Sequence, residues 1–181
     1  MKTELCGIRS EADLRTALDA DPDAIGLLVG RRHASNDFIS VETARALCAL
    51  LPPFVQPVLI THLSAPDEIL NVFRAIGPMT IQLHGETTPE QAALLRRELA
   101  PSVKLMKSVW LSETNGYAQL SAYLPHVDAF FIDSRNPETD QVGGTGLLND
   151  WNLAARFVRE SPIPVMLAGG LTPENGAGAS K

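Results

Sequence analysis

Asp133 and two glycine clusters carry the chemistry most plainly written in this sequence. Asp133 ends the run Val127-Asp128-Ala129-Phe130-Phe131-Ile132, whose apolar and aromatic content predicts a buried strand. A polar loop follows and closes on Gly143-Gly144-Thr145-Gly146. In parallel α/β folds, active sites are built at the C-terminal tips of such strands, where a carboxylate can give or take a proton. Taken alone, Asp133 reads equally well as an ordinary loop carboxylate. The second cluster, Gly169-Gly170, precedes the helix-start signal Thr172-Pro173-Glu174-Asn175. Bare backbone N–H groups beside a helix N-terminus suit a phosphate. His33, His62 and His84, with Asp37, gather at or near the same strand ends. Imidazole and carboxylate are metal-ligand types, but the close His-x-x-x-His spacing is missing. The pattern therefore favours hydrogen-bonded or exposed histidines, and no metal is expected.

These groups need a scaffold that brings strand ends together. Continuous apolar runs predict strands at 5–8, 24–29, 55–60, 79–83, 103–106, 127–132 and 164–168. Amphipathic, capped segments predict helices at 10–18, 40–51, 66–75, 88–99, 116–124 and 149–158, with Ser10, Ser40 and Thr88 as N-caps. Strict alternation of the two argues for a parallel sheet covered by helices, and continuously apolar strands fit a sheet buried on both faces. The first strand carries only one glycine in Cys6-Gly7-Ile8-Arg9, so no dinucleotide fingerprint follows it. A doubly wound sheet stays possible. The better fit is a single α/β domain over 1–181, a TIM (β/α)8-type barrel whose eighth β/α unit is missing from this chain.

Composition removes several function classes. The 181 residues are 45% apolar and 20% charged, an ordinary globular balance for one core. A net charge of -6 with no basic stripe argues against nucleic acid. No apolar run approaches the ~18 residues a membrane span needs, and no signal-peptide core follows Met1. Two cysteines, Cys6 and Cys48, make no disulfide scaffold, so a reducing cytoplasm is the expectation.

Four motifs in order resemble one family. Cys6-Gly7-Ile8, Gln82-Leu83-His84-Gly85, Asp133-Ser134 with Gly143-Gly144-Thr145-Gly146 and Trp151, and Ala168-Gly169-Gly170-Leu171-Thr172-Pro173-Glu174-Asn175 together resemble phosphoribosylanthranilate isomerase. The likeness covers almost the whole chain, and it is the set of four that makes it specific. It implies a small TIM barrel of tryptophan biosynthesis that performs an Amadori rearrangement, an aldose–ketose isomerisation, with no metal or organic cofactor. It implies a small phosphorylated substrate, a monomer or homodimer, and an eighth β/α unit that would make this chain truncated or divergent at its C-terminus. By similarity, Cys6 is the base that takes a proton from C2 and Asp133 the acid that opens the ribose ring. A thiol of pKa about 8.5 is only a few per cent ionised at pH 7, so Cys6 needs a positive neighbour, and Lys107 or Arg9 could supply one. Asp133 must hold its proton, which burial among Phe130, Phe131 and Trp151 would favour. Gly169 and Gly170 are the expected phosphate cradle, with Gly143 and Gly144 closing over the substrate. Arg31, Arg32, Asp37, His62, Gln82, His84 and Lys107 complete the expected substrate site.

Two positions depart from the family pattern. Where the family usually carries an arginine taken to pair with the anthranilate carboxylate, the run Ser35-Asn36-Asp37 presents an aspartate. An anion there repels a carboxylate. Either Arg31 or Arg32 takes over the carboxylate, or the substrate lacks it, or both arginines are simply a solvated loop. His62 is the second departure. Three functions therefore stay open: the family's isomerase, a paralogue acting on another phosphorylated sugar or amine, and a non-catalytic barrel that binds a phosphorylated ligand.

Overall fold

The computed structural model of the chain describes residues 2–32, 36–111, 120–136, 141–142, 145–172, 174–176 and 178. Its main element is a curled sheet of seven parallel strands: β1 (Glu4–Leu5), β2 (Ala24–Leu28), β3 (Gln56–Thr61), β4 (Thr80–Leu83), β5 (Lys104–Val109), β6 (Ala129–Ile132) and β9 (Val165–Leu167). Each strand pairs with its neighbour in chain order, as in Leu27↔Leu59, Ile81↔Leu105 and Phe131↔Met166. Two further strands, β7 (Arg135–Asn136) and β8 (Gln141–Val142), form a small antiparallel ladder in the segment after β6. The sequence reading did not anticipate that ladder.

Helices α1 (Glu11–Leu18), α2 (Val41–Ala49), α3 (Pro66–Ile76), α4 (Pro89–Glu98) and α5 (Trp151–Glu160) follow β1, β2, β3, β4 and β8. Their starts lie at the expected caps. Ser10 and Ser40 accept from the backbone N–H of Asp13 and Thr43, and Thr88 forms a reciprocal capping box with Gln91. Asp150 caps α5 through the N–H groups of Asn152 and Leu153. The helix expected over 116–124 falls partly outside the described residues, and its described part contains one 3-10 turn, Ser121–Tyr123.

Period-two alternation divides each strand between two layers. Ile25, Leu27, Leu59, Ile81, Leu83, Leu105, Phe130 and Ile132 face the helices and pack with residues such as Leu14, Leu47, Ile69, Leu95 and Phe157. Val58, Ile60 and Met106, with Ala24, Leu28, Ala129 and Met166, fill the concave inner side. The expected first strand over 5–8 is shorter and earlier, because Gly7 leaves the extended region at φ +80° and turns the chain directly after Cys6.

Candidate active site

The inner face of β1 presents Glu4 and, two residues on, Cys6. Both lie over Gly26 of β2. A Cβ built there would stand 2.8 Å from Glu4 Oε1 and 2.9 Å from the Cβ of Cys6, so only glycine leaves room for them. Asp37 closes the same corner, its carboxyl carbon 3.7 Å from the position a Cβ on Gly7 would take. Among the described residues, no cation bears on the thiol. Burial, then the charges of Glu4, Asp133 and Asp37, push Cys6 up to about 12. The thiol is hemmed in by protein atoms, yet its residue is reached by solvent from the open side of the concavity. Glu4 itself is raised to about 7 by burial, and its Oε1 has no hydrogen-bond partner.

Across the concavity, β4, β5 and β6 place Gln82, His84, Ser108 and Asp133 in a buried polar chain. Gln82 Nε2 lies 3.0 Å from Ser108 Oγ and 3.2 Å from His84 Nδ1. Ser108 Oγ is 2.7 Å from His84 Nδ1, and His84 Nε2 is 3.4 Å from Asp133 Oδ2. Asp133 also accepts 2.7 Å from the N–H of Ser134. Burial raises Asp133 to about 6 against that hydrogen bond, the direction an acid requires. The expected neighbours are only partly right. Alternation turns Phe130 to the helix side, where it meets Phe157 edge-on, and leaves Phe131 on the side of Asp133.

Lys107 is the main correction. It was expected beside Cys6 and the substrate, but it alternates with Met106 and Ser108 and so faces the helix layer. Its Nζ donates 2.7 Å to Gly85 O and lies over the rings of Trp110 and Tyr123. Burial lowers it to about 8. It borders a cavity of about 340 Å³ also lined by Thr87, Pro89, Ser108 and Leu120, and neither Cys6 nor Asp133 lines that cavity. Arg9 is exposed, and neither cation reaches the thiol.

The remaining expected residues divide as follows. Arg31 and Arg32 are exposed, and Arg32 pairs with Glu68 of α3 at 3.7 Å. His62 is 1% exposed, held between the rings of Phe38 and His84, so it backs the wall of the concavity. Gly169 and Gly170 have φ +80° and +64°. A Cβ on Gly169 would lie 2.9 Å from the backbone nitrogen of Ser134, and one on Gly170 would lie 2.7 Å from Leu147 O. The glycines thus let the segment after β9 close against the segment after β6. Asn175 Nδ2 donates 3.0 Å to Gly170 O, and the expected helix start there is a turn closed by Gly176 N–H to Thr172 O. Gly143, Gly144, His33 and Pro173 lie outside the described residues. Among the described residues, no three of His, Cys, Asp and Glu converge on one metal position.

Glu4 and Ser108 were missed. The signal was available as parity: Glu4 is two residues before Cys6, and Ser108 two after Met106, so each shares its neighbour's inward face.

With this geometry in place, comparison with known proteins is specific. The family described as N-(5'phosphoribosyl)anthranilate (PRA) isomerase matches residues 3–181. N-(5'-phosphoribosyl)anthranilate isomerase 2 of Methanosarcina mazei is 37% identical over 175 residues, covering 97% of this chain and 77% of the relative. The crystal structure of the phosphoribosyl anthranilate isomerase from Thermus thermophilus superposes with a TM-score of 0.81 at 27% identity, covering 99% and 82% of the two chains. A further isomerase structure, in complex with reduced 1-(o-carboxyphenylamino)-1-deoxyribulose 5-phosphate, has a TM-score of 0.75 at 25% identity, covering 99% and 80%.

Proposed function

Because the chain belongs to the N-(5'-phosphoribosyl)anthranilate isomerase family, we propose that Cys6 and Asp133 are the base and the acid of its reaction. That reaction is the Amadori rearrangement of tryptophan biosynthesis, an aldose–ketose isomerisation. The observation that carries the assignment is that the two groups share one concavity closely enough for the charge of Asp133 to act on the thiol.

The buried Asp133 donates a proton to the ribose ring oxygen as the C1–O bond breaks, and the aniline nitrogen's lone pair forms a cationic imine. Cys6, as thiolate, then takes the proton from C2, and the electron pair of that C–H bond flows toward the imine to give an enaminol, which becomes the ketose as C1 takes up a proton and the C2 hydroxyl gives one up. With the thiol held near 12, only about one molecule in 10⁵ is ionised at pH 7 in the free protein. The imine is what changes this. A positive charge formed among Glu4, Asp37 and Asp133 offsets part of what burial and those carboxylates impose on the thiol, so the thiol releases its proton to the solvent that reaches it and, as thiolate, takes the C2 proton that the same charge acidifies. A carboxyl near pKa 6 is about one-tenth protonated at pH 7, enough to serve as acid.

Gly169 and Gly170 offer backbone N–H groups to the phosphate, and the family resemblance assigns Gly143 and Gly144 to the same substrate. Asp37 repels the anthranilate carboxylate on its own side, and Arg31 and Arg32 are the candidate partners for it. Gln82 and His84 line the acid side. We propose a monomer or homodimer working in the cytoplasm on a small phosphorylated substrate, with neither nucleic acid nor membrane as partner and no cofactor.

The test follows the loss of phosphoribosylanthranilate fluorescence in the parent, Cys6→Ala and Asp37→Arg. Cys6→Ala is expected to lower turnover by a factor of about 10² to 10⁴ while leaving affinity for the reduced product analogue within a few-fold. Undiminished turnover in Cys6→Ala would remove the thiol from the mechanism. Turnover appearing only in Asp37→Arg would favour a substrate without the anthranilate carboxylate.

A further inference from the structure

The acid of the proposed mechanism is not isolated. His84 Nε2 stands 3.4 Å from Asp133 Oδ2, and the opposite ring nitrogen, Nδ1, stands 2.7 Å from Ser108 Oγ. Ser108 is in turn 3.0 Å from Gln82 Nε2. All four side chains are at least nine-tenths buried, with Ser108 and Gln82 each 1% exposed. The hydroxyl of Ser108 is held between His84 and Gln82, so its direct link to the acid runs through His84.

We propose that Ser108 is a positioning residue for Asp133: its hydroxyl fixes the Nδ1 side of His84 so that Nε2 shares the acid's proton. The inference rests on the reading of Asp133 as the acid. The hydrogen bonds close in each protonation state. When Asp133 is ionised and His84 neutral, His84 Nε2–H donates to Oδ2, Nδ1 accepts from Ser108 Oγ–H, and Gln82 Nε2–H donates to Oγ. When one more proton is present, it lies on Oδ2 or on Nε2, and in both positions Nδ1–H donates to Ser108 Oγ. The hydroxyl then points to Gln82, whose Oε1 has no partner in the first arrangement and accepts after a half-turn of the amide. The count is one proton more, with no bond made or broken besides those to hydrogen.

The groups facing this pair are few and mostly anionic. Cys6 and Glu4 come from β1 and its tip, and Asp37 from the segment after β2. His62 after β3 stacks on His84 at 5.3 Å, and Trp110 after β5 meets it edge-on at 6.2 Å. Lys107 lies on the opposite face of β5, and β9, Val165–Leu167, carries no titratable side chain. Among the described residues, the proton shared across the Asp133–His84 contact thus has acids and the one imidazole of His62 around it, which makes the geometry of the His84 ring matter.

The test combines ring-nitrogen NMR with kinetics on the full chain. In ¹⁵N-histidine-labelled protein, with His84 assigned by His84→Gln, the Nδ1 and Nε2 shifts are followed from pH 5 to 8 in the parent, Ser108→Ala and Ser108→Thr. The expected result is an Nδ1 that gains its proton as Asp133 does in the parent, a course displaced in Ser108→Ala and restored in Ser108→Thr, which keeps the hydroxyl. In parallel, Ser108→Ala lowers kcat about five- to tenfold, one hydrogen bond's worth, with KM within twofold and the pH profile of kcat displaced. Identical nitrogen titrations in parent and Ser108→Ala overturn the proposal, as does an effect confined to KM. Full activity in Asp133→Asn would instead overturn the assignment of the acid, and the nitrogen shifts would still report whether Ser108 governs His84.

Discussion

Replacing Asp133 by Asn should stabilise the fold at neutral pH while removing activity, and the size of the gain can be worked from the structure. The carboxyl is 7% exposed, and burial raises it from 3.8 to about 6. A raised carboxyl binds its proton more tightly in the folded than in the unfolded chain, so between those two values the folded state holds more protons. The stability this proton contributes therefore falls as pH rises through this window and is gone above it, while the rest of the fold's stability is untouched. Two units or so correspond to about 3 kcal/mol. Asn carries no charge at any pH and keeps an oxygen to accept the Ser134 N–H, 2.7 Å away in the parent. Urea unfolding at several pH values should give nearly equal stabilities for parent and Asp133→Asn near pH 3.5. The difference should open from pH 4 to 6 to about 3 kcal/mol in favour of Asn, and then stay level to pH 8. Turnover should fall by a factor of about 10² to 10⁴ over the same range. Stability curves that run parallel across pH would refute the idea that the protein spends stability on a buried carboxyl at this position.

Other consequences are as direct. Burial raises the Cys6 thiol most, and Asp37 is one of three charges that add to it, so in Asp37→Asn site-resolved alkylation of Cys6 against pH should show a modestly lower midpoint. An unchanged midpoint would mean Asp37 does not face the thiol in solution. Lys107→Met deletes the donor to Gly85 O and should cost about 1–3 kcal/mol, the usual penalty for a buried carbonyl left unpaired, with KM hardly changed. A KM raised tenfold at unchanged melting temperature would return Lys107 to the substrate site.

The scaffold was legible because its signals are local. Apolar runs, caps and their alternation depend on neighbours within one turn or strand, and the parallel order β1 to β6 with β9 follows from them. The fate of Lys107 shows where that reading stops. Reading a strand end as delivering its last residue into the mouth ignores parity, and β5 runs on to Val109, so the register that buries Leu105 against the helices turns Lys107 the same way. Counting alternate residues from Met106 would have found Ser108 instead. The environment of Cys6 was out of reach for another reason. Glu4, Asp37 and Asp133 come from three separate parts of the chain, and only the curl of the sheet brings them to one thiol.

That convergence bears on why a base would be kept so basic. A resting thiolate would be a nucleophile open to oxidation and alkylation on the solvent-reached side of the concavity, and burial, with the carboxylates added to it, suppresses it. They also make the site most favourable to a bound cation, and on the reaction path proposed here the cation exists only after Asp133 has opened the ring. The thiol then becomes a competent base when there is a proton for it to take. Neutralising the carboxylates one at a time should therefore make Cys6 more reactive towards alkylating agents and slow isomerisation. A simple activation of the nucleophile would move both in the same direction.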